Sequence, residues 1–328
     1  MKYILGIDQG GTNTRAAIMD LTGTILGYGK THGSYFPRDT MDVSLGIISK
    51  AVNDALLIAK LKIEDISMIV VGITGIDYEG DDIFVKESFR EFFGIYDVHA
   101  FNDCVVAYYG GSIEAVGSII CVGTGVNAAF FTPENNIFVM SDYLKASIQG
   151  GSAIAKCAAE AVFESKIGVW PETKLEQMFL DFAQVDTTHE VLKKFILDGD
   201  FSKKITYLTP QILKIANGGD QVAQMILQNF SDELCACFLG AMRQMKMVEL
   251  DCDIVLAGSV YKGTDNYLRK TTTETLLKNA KNARIVNACF EPVVGACIMG
   301  VNKIIGGFDE NMRKSTFISA AKFELNRV

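Results

Sequence analysis

The sequence predicts an α/β chain of two similar lobes, each a β-meander followed by α/β units, and three observations carry that expectation. The first is the stretch from Tyr3 to Gly27. An apolar run of strand length ends on Asp8, Gly10 and Gly11 supply a tight turn, a second apolar run follows, and Thr22-Gly23 turns the chain into a third. The second observation is that the chain does this again. Gly11-Thr-Asn-Thr-Arg-Ala-Ala-Ile-Met aligns without a gap on Gly123-Thr-Gly-Val-Asn-Ala-Ala-Phe-Phe, with Gly-Thr and Ala-Ala in register and Ile25 matched by Ile137. The third is a later echo: Ile69-Val-Val-Gly-Ile-Thr-Gly75 and Ile254-Val-Leu-Ala-Gly-Ser-Val260 are each a buried-looking strand running into a small, hydroxylated turn.

The chemistry of the first turn points to an anion. Gly10 and Gly11 allow φ > 0 and let backbone N–H groups approach a phosphate with no Cβ in the way, and Thr12 and Thr14 add hydroxyl donors on either side of Asn13. Asp8, at the end of the strand, suits a hydrated magnesium ion. Taken alone, this stretch reads equally well as an ordinary glycine-rich hairpin. The repeat, which sets Gly123, Thr124 and Gly125 in the corresponding place, favours two phosphate-binding turns facing each other as a nucleotide clamp.

The remaining elements follow in order. Gly27 to Arg38 reads as a loop with His32 at the surface, and Met41 to Leu61 as an amphipathic helix that packs Val43, Ile47, Ile48, Val52, Leu56 and Ala59 on the first sheet. Strand 69–73 ends at Thr74-Gly75-Ile76-Asp77, and Asp81 or Asp82 is expected to cap the helix that follows. A short strand from Val98 delivers Asn102 and Asp103, where residue type alone makes Asp103 a helix cap. Gly110-Gly111-Ser112 is the expected hinge, with a short helical stretch after it and the second meander from Ser118.

The pattern is helical from 153 to 247, as 153–167, 173–183, 187–197, 201–217 with an interruption at Pro210, and Gly219 to Met247. In the last of these Met225, Ile226, Phe230, Leu234, Phe238 and Met242 form a core stripe. Strand 254–257, helix 264–280, strand 284–287, a turn at 291–295, a small-residue helix from Ala296 to Ile304 and an amphipathic helix from Asn311 to Val328 complete the reading. The expected domains are 1–112, completed by helix 311–328, and 113–310 with a helical insertion over about 153–250.

Composition bounds the partners. The 328 residues are 49% hydrophobic and 21% charged, with a mean hydropathy of +0.21, enough apolar side chain to fill two cores. A net charge of −8 argues against nucleic acid and anionic membranes as partners. The start, Met1 to Gly6, has too short an apolar core for a signal peptide, and no run reaches membrane-spanning length, so a cytoplasmic protein is expected, assembled as a homodimer. Eight cysteines, at 104, 121, 157, 235, 237, 252, 289 and 297, contain no Cys-x-x-Cys; they read as free buried thiols rather than a zinc or iron–sulfur site.

Three motifs carry a resemblance. Asp8-Gln-Gly-Gly-Thr-Asn-Thr14 resembles the first phosphate motif of the sugar-kinase, heat-shock-chaperone and actin superfamily, Val122-Gly-Thr-Gly-Val-Asn127 the second, and Val255-Leu-Ala-Gly-Ser-Val260 its adenosine motif. Within that superfamily the chain most resembles the N-acetylglucosamine kinase and BadF/BadG-type ATPase family, from its first strand to about Gly300. The resemblance implies a two-lobed actin-like, ribonuclease H-like ATPase fold that uses ATP and Mg²⁺. Gly10 to Thr14, Gly123 to Gly125, and Gly258 with Ser259 would hold the nucleotide, and Asp8 would stand on the metal side.

The acceptor side follows by the same resemblance. In sugar kinases an aspartate after a strand, often within Asn-Asp, relieves the acceptor hydroxyl of its proton, and Asp103 beside Asn102 matches it. The loop around Gly33 and Ser34, the segment Thr74-Gly75, and Asn127 would face the sugar. The most informative departure is at 145–152: where relatives read Gly-Gly-Trp-Gly and then Gly-Asp-Glu-Gly-Ser, this chain has Lys145-Ala-Ser-Ile-Gln-Gly-Gly-Ser152. The tryptophan is absent and the Asp-Glu pair becomes Gln149-Gly150, an uncharged hydrogen-bonding side chain, with Ser152 as the expected helix cap. Either the acceptor differs from N-acetylglucosamine or the acceptor site has decayed. Two functions therefore stand: a kinase acting on a small sugar or amino sugar, and an ATPase or sensor of the same fold whose lobe angle regulates a partner.

Overall fold

The computed structural model describes residues 2–140, 143–144, 146–262 and 266–327, and the chain divides into two compact units. Met1–Ile119, Asn135–Val139 and Val286–Val328 form the first; Ile120–Glu134 and Met140–Ile285 form the second.

In the first unit the glycine turns separate strands β1 (Tyr3–Gln9), β2 (Asn13–Asp20) and β3 (Ile25–His32). They are followed by α1 (Phe36–Asp39), α2 (Met41–Ala59), β4 (Ile66–Ile73), α3 (Asp81–Phe93), β5 (Val98–Phe101) and α4 (Asp103–Tyr108). The sheet order is β3-β2-β1-β4-β5. The meander pairs antiparallel, while β4 lies parallel to β1 and β5 parallel to β4, as crossover helices require. Ile4, Leu5 and Ile7 are fully buried, so β1 is covered on both faces and reads as a continuous apolar run. Helix α2 lies directly on β3, where a Cβ on Gly27 or Gly29 would fall 2.0 Å from the carbonyl oxygen of Ala55 or Ala51.

The second sheet, β6 (Gly117–Val122), β7 (Val126–Phe131), β8 (Ile137–Val139), β9 (Asp253–Ala257) and β10 (Arg284–Asn287), has the order β10-β9-β6-β7-β8. Between β8 and β9 come α5 (Gly150–Ser165), α6 (Leu175–Ala183), α7 (Thr188–Leu197), α8 (Gly199–Lys204), α9 (Thr209–Asn217) and α10 (Gln221–Gln244), with α11 (Tyr267–Asn279) before β10. Helices α12 (Pro292–Ile305) and α13 (Glu310–Ala321) return to the first unit. The small residues of α12 allow that return: a Cβ on Gly6 of β1 would meet Cys297 Sγ at 2.5 Å, and one on Gly295 would meet the Val106 carbonyl at 2.1 Å. On the other side, Thr316 and Ser319 of α13 bond to the Gly23 carbonyl and the Ile25 amide.

Several expectations are corrected. Residues 286–310 cluster with the first unit, because the close packing of α12 is against β1 and α4. The strand β3 runs to His32 where a loop from Gly27 was expected, since its glycines pack under α2. Val43 is 51% exposed and Met225 39%, both on the solvent side of their helices. Residues 113–116 form no helix. Gly80, in the left-handed region, precedes α3; Asp81 instead accepts from the amides of Asp77 and Tyr78. Helix α12 begins at Pro292, which suits a first helical turn. The cysteines are free, but only Cys104, Cys235, Cys252 and Cys297 are fully buried. No helix among the described residues is long and apolar enough to cross a membrane.

Candidate active site

Each unit carries its own set of functional side chains. In the first, the β1–β2 turn is closed by Gly10 N–H donating to the Asn13 carbonyl at 2.9 Å. Segment 33–35 braces it from outside: Gly33 N–H donates to the Thr12 carbonyl at 2.9 Å, and a Cβ on Gly33 would lie 2.2 Å from the Gly10 oxygen. From inside, the fully buried Gln9 donates through Nε2 to Ser34 Oγ at 2.9 Å, to the Ser34 carbonyl and to the Gly10 carbonyl. Ser34 is thereby buried in the brace.

Two details of the turn differ from expectation. Neither Gly10 nor Gly11 takes a positive φ, so their backbone does not require glycine. A Cβ on Gly11 would meet nothing within 4 Å among the described residues, so that glycine keeps open space above the turn. Thr14 is fully buried in β2, where its hydroxyl is out of a ligand's reach; Thr12 is exposed and Asn13 half-buried.

Asp8 is 7% exposed at the end of β1, and the β1–β2 register sets Arg15 opposite it, with Nη1 3.3 Å from Asp8 Oδ2. Burial pushes the Asp8 carboxyl above its ordinary range; Arg15 opposes that rise and Glu291 adds to it. On the other side of Asp8 lies β4. Gly72 pairs with Asp8 in the parallel register, and a Cβ there would fall 3.2 Å from the Cα of Asp103. A glycine inside the apolar strand was the sequence signal for this close approach.

Asp103 is the first residue of α4, and the cap is Asn102, whose Oδ1 accepts from Cys104 N–H at 3.1 Å. This answers the choice left open by residue type, since the capping role belongs to the neighbour. Asn102 also donates through Nδ2 to the Ile76 carbonyl at 3.0 Å and Asp77 Oδ1 at 3.2 Å, tying 76–77 to the helix start. Burial raises the Asp103 carboxyl to about 7, with the charges of Asp8 and Asp77 adding to the rise. Thr74 N–H donates to the Gln9 carbonyl at 2.9 Å, and Gly75, at φ 100°, packs against Pro37 and Phe36. The first unit thus gathers Asp8, the turn 10–13, Gly33, Ser34, 74–77, Asn102 and Asp103.

In the second unit the β6–β7 turn is closed by Gly123 N–H donating to the Gly125 carbonyl at 2.8 Å. The start of α5 docks on it: Gly151 N–H donates to the Gly123 carbonyl at 2.8 Å and Ser152 N–H to the Thr124 carbonyl at 3.2 Å. Gly150, at φ 64°, leaves no room for a side chain, because its Cβ would lie 2.2 Å from the Gly125 oxygen. Gly258, at φ 98°, presses the other flank with a Cβ position 2.1 Å from the Val122 oxygen. Ser259 follows in a single 3₁₀ turn, Ser259–Tyr261.

Gln149 precedes α5 without capping it, and its Nε2 donates to the Leu144 carbonyl at 3.2 Å. Ser152, expected as the cap, lies inside the helix and donates to the Gln149 carbonyl. Asn127 Oδ1 accepts from Ala128 N–H at 2.7 Å. Lys145 lies outside the described residues. Sequence reading named Gly150 only as part of the departure from Asp-Glu, and it missed Thr209, whose Oγ1 donates to the Gly151 carbonyl at 2.9 Å. Among the described residues no three acidic, histidine or cysteine side chains gather as a metal cage.

The model of a family described as the BadF/BadG/BcrA/BcrD ATPase family matches residues 5–300. Among curated proteins the chain is 25% identical to an N-acetyl-D-glucosamine kinase of Dictyostelium discoideum, covering 92% of this chain and 98% of that one. It is 24% identical to an N-acetylmuramic acid/N-acetylglucosamine kinase of Clostridium acetobutylicum, over 91% and 98% of the two chains. A solved structure from Chromobacterium violaceum, provisionally named an N-acetylglucosamine kinase, superposes with a TM-score of 0.70 at 17% identity, covering 91% of this chain and 99% of that one. At that identity the likeness shows the fold, and with the two mixed five-stranded sheets it makes this an actin-like α/β architecture.

Proposed function

This chain belongs to the BadF/BadG/BcrA/BcrD ATPase family, and from that premise we propose that it is an ATP-dependent kinase that phosphorylates a hydroxyl of a small sugar or amino sugar. The observation that carries the reading is Asp103, a carboxyl at about 7 held one strand away from Asp8 and not used as the helix cap. Phosphoryl transfer needs an acceptor oxygen placed in line and a base to take its proton as the new bond forms. A carboxylate titrating near neutrality is matched to that task. The names of the curated relatives agree with such an acceptor.

In this reading Asp103 is the general base, Asn102 fixes the helix start that presents it, and Thr74 and Gly75 line the acceptor side. The Gly-Thr turn of each unit is a phosphate-binding element, and Gly258 with Ser259 a nucleoside-binding one. Open space above Gly11 and Gly125 supports this, since a Cβ at either would meet nothing within 4 Å among the described residues. The chemistry around Asp8 fits a hydrated magnesium ion: a carboxylate oxygen donor stands where the charges of Asp8 and Asp77 already disfavour ionising Asp103. When bound, that cation neutralises charge on the phosphate oxygens.

A second reading, an ATPase or sensor without a sugar acceptor, is favoured by Gln149, which is uncharged and spends its amide on the Leu144 carbonyl. A coupled ADP-release assay across hexoses, N-acetylhexosamines and amino sugars separates the two. The kinase shows acceptor-dependent turnover that Asp103→Asn abolishes with ATP binding retained; slow turnover indifferent to every acceptor leaves the sensor.

A further inference from the structure

Four charges alternate through the buried edge of the first unit. Asp8 meets Arg15, whose Nη2 faces Glu291 Oε2 at 3.8 Å, and the same Oε2 accepts from Arg327 Nη2 at 2.9 Å. All four are largely shielded from water, with side-chain exposures of 10% for Asp8, 21% for Arg15, 11% for Glu291 and 16% for Arg327. We infer that Glu291 and Arg327 are positioning residues that hold Arg15 against Asp8, so that the segment 323–327 serves the metal-side acid; the inference rests on the role proposed for Asp8.

The backbone makes the outer half of this chain rigid. Glu291 N–H donates to the Leu325 carbonyl at 2.9 Å and Arg327 N–H to the Cys289 carbonyl at 2.7 Å, with Phe290 and Asn326 bridged antiparallel between them. Glu291 also stands immediately before α12, where the helix dipole favours a carboxylate. The inner half is held by the sheet at its backbone, since Arg15 lies in β2 opposite Asp8 of β1 and Lys30 of β3. Its side-chain neighbours fix its direction: Asp8 on one side, Glu291 on the other, and the Tyr28 phenol, whose ring packs on Phe323 at 6.0 Å.

Glu291 thus divides itself between two guanidinium groups, and the tighter bond goes to Arg327. Remove Arg327 and the buried Glu291 carboxylate loses the nearer of these two cations and draws Arg15 away from Asp8. Tying 323–327 to the sheet would need no charge at all, since buried ion pairs are poor staples compared with apolar contacts. What the alternation supplies is a fixed direction for the guanidinium that Asp8 faces.

The test measures ADP binding by calorimetry with Mg²⁺ and with EDTA, alongside melting curves, for the wild type, Arg327→Ala, Arg327→Lys and Glu291→Gln. Outer partners of a metal-side ligand typically carry about 10–100-fold in affinity. The expected result is therefore a loss of about tenfold for Mg-ADP in Arg327→Ala and Glu291→Gln, a change within about twofold for metal-free ADP, and recovery in Arg327→Lys. Unchanged Mg-ADP affinity overturns the inference, and so does an equal loss with and without the metal. If Arg327→Ala does not fold, Glu291→Gln and Arg327→Lys decide the matter by the same two affinities. A wild type that binds Mg-ADP no better than ADP removes the role of Asp8 and this inference with it, whatever its sugar turnover. A wild type that turns over no sugar yet shows the metal-dependent pattern removes the kinase reading alone.

Discussion

The two glycine turns share one repeated pattern, yet the protein braces them by different means. The first is held by Gly33 against its backbone and by a buried side chain, Gln9 on Ser34, with Asp8 paired to Arg15 beside it. The second is held by backbone pressed on backbone, through Gly150 and Gly258 at positive φ and amides of α5 bonded to its carbonyls. A turn braced by charged and amide side chains can also place acid–base chemistry; one braced by glycines can only shape a cradle. Substitutions should therefore fail differently in each.

The largest effect is expected at Asp103. In Asp103→Asn acceptor-dependent kcat falls about 10²–10⁴-fold, the usual share of a general base. In the wild type kcat/KM climbs with pH through about 7 and then levels, because the base must be ionised; the variant lacks that limb. The sign for stability is opposite. A carboxyl raised from 3.8 to about 7 by folding binds its proton more tightly in the native state, so its ionisation costs stability increasingly as pH rises between those values. Asp103→Asn therefore melts higher than the wild type above about pH 8, with the gap closing below about pH 4. A flat pH–rate profile, or a variant less stable at the alkaline end, would separate Asp103 from the acids of the first unit.

Next come the glycines that press on the two turns. Gly258→Ala forces a Cβ onto the Val122 oxygen at a positive φ, costing roughly 2–4 kcal/mol, while Gly33→Ala, crowded but without the unfavourable φ, costs roughly 1–3 kcal/mol. Chemical denaturation ranks them, and equal costs would erase the distinction between the two braces. Smaller again, Asn102→Ala loses a helix cap worth about 1 kcal/mol and frees 76–77 from α4. Its signature is a raised KM for the acceptor at unchanged nucleotide affinity.

The contrast between the braces also explains what sequence could and could not foretell. Local periodicity and the repeat were enough for the existence of both meanders, for strands expected at 69–73 and 254–257 and found at 66–73 and 253–257, and for the turn positions, because those depend on neighbours along the chain. The cap expected at Asp103 falls on Asn102, because Asn and Asp both cap helices and only the bond to Cys104 decides. Glu291 and Thr209 carry no local signal of their roles, since their partners lie far away in sequence. So did the return of α12 to the first unit, which depends on Gly6 facing Cys297. Positive φ was expected at Gly10 and Gly11 and is found instead at Gly75, Gly150 and Gly258, one residue of which, Gly150, stood in plain view as the departure from Asp-Glu.

The smallest expected effect is the most discriminating. Gly11 lies in the first turn and Gly125 in the second, at positions that are not partners in the repeat; neither has a positive φ, and a Cβ on either meets nothing within 4 Å among the described residues. The fold therefore has no use for glycine at these positions and bears its entropic cost. Gly11→Ala and Gly125→Ala should each stabilise the unliganded protein by about 0.4–1 kcal/mol, by restricting the unfolded chain. If the space above the turns is where phosphate oxygens approach backbone amides, the same methyl groups must weaken nucleotide binding in both variants. Gain in melting temperature with loss of ATP affinity, in both halves alike, would mark the one property the repeat has kept in common. A gain in stability with unchanged ATP affinity at either position would show that the turn in that unit is a hairpin and nothing more.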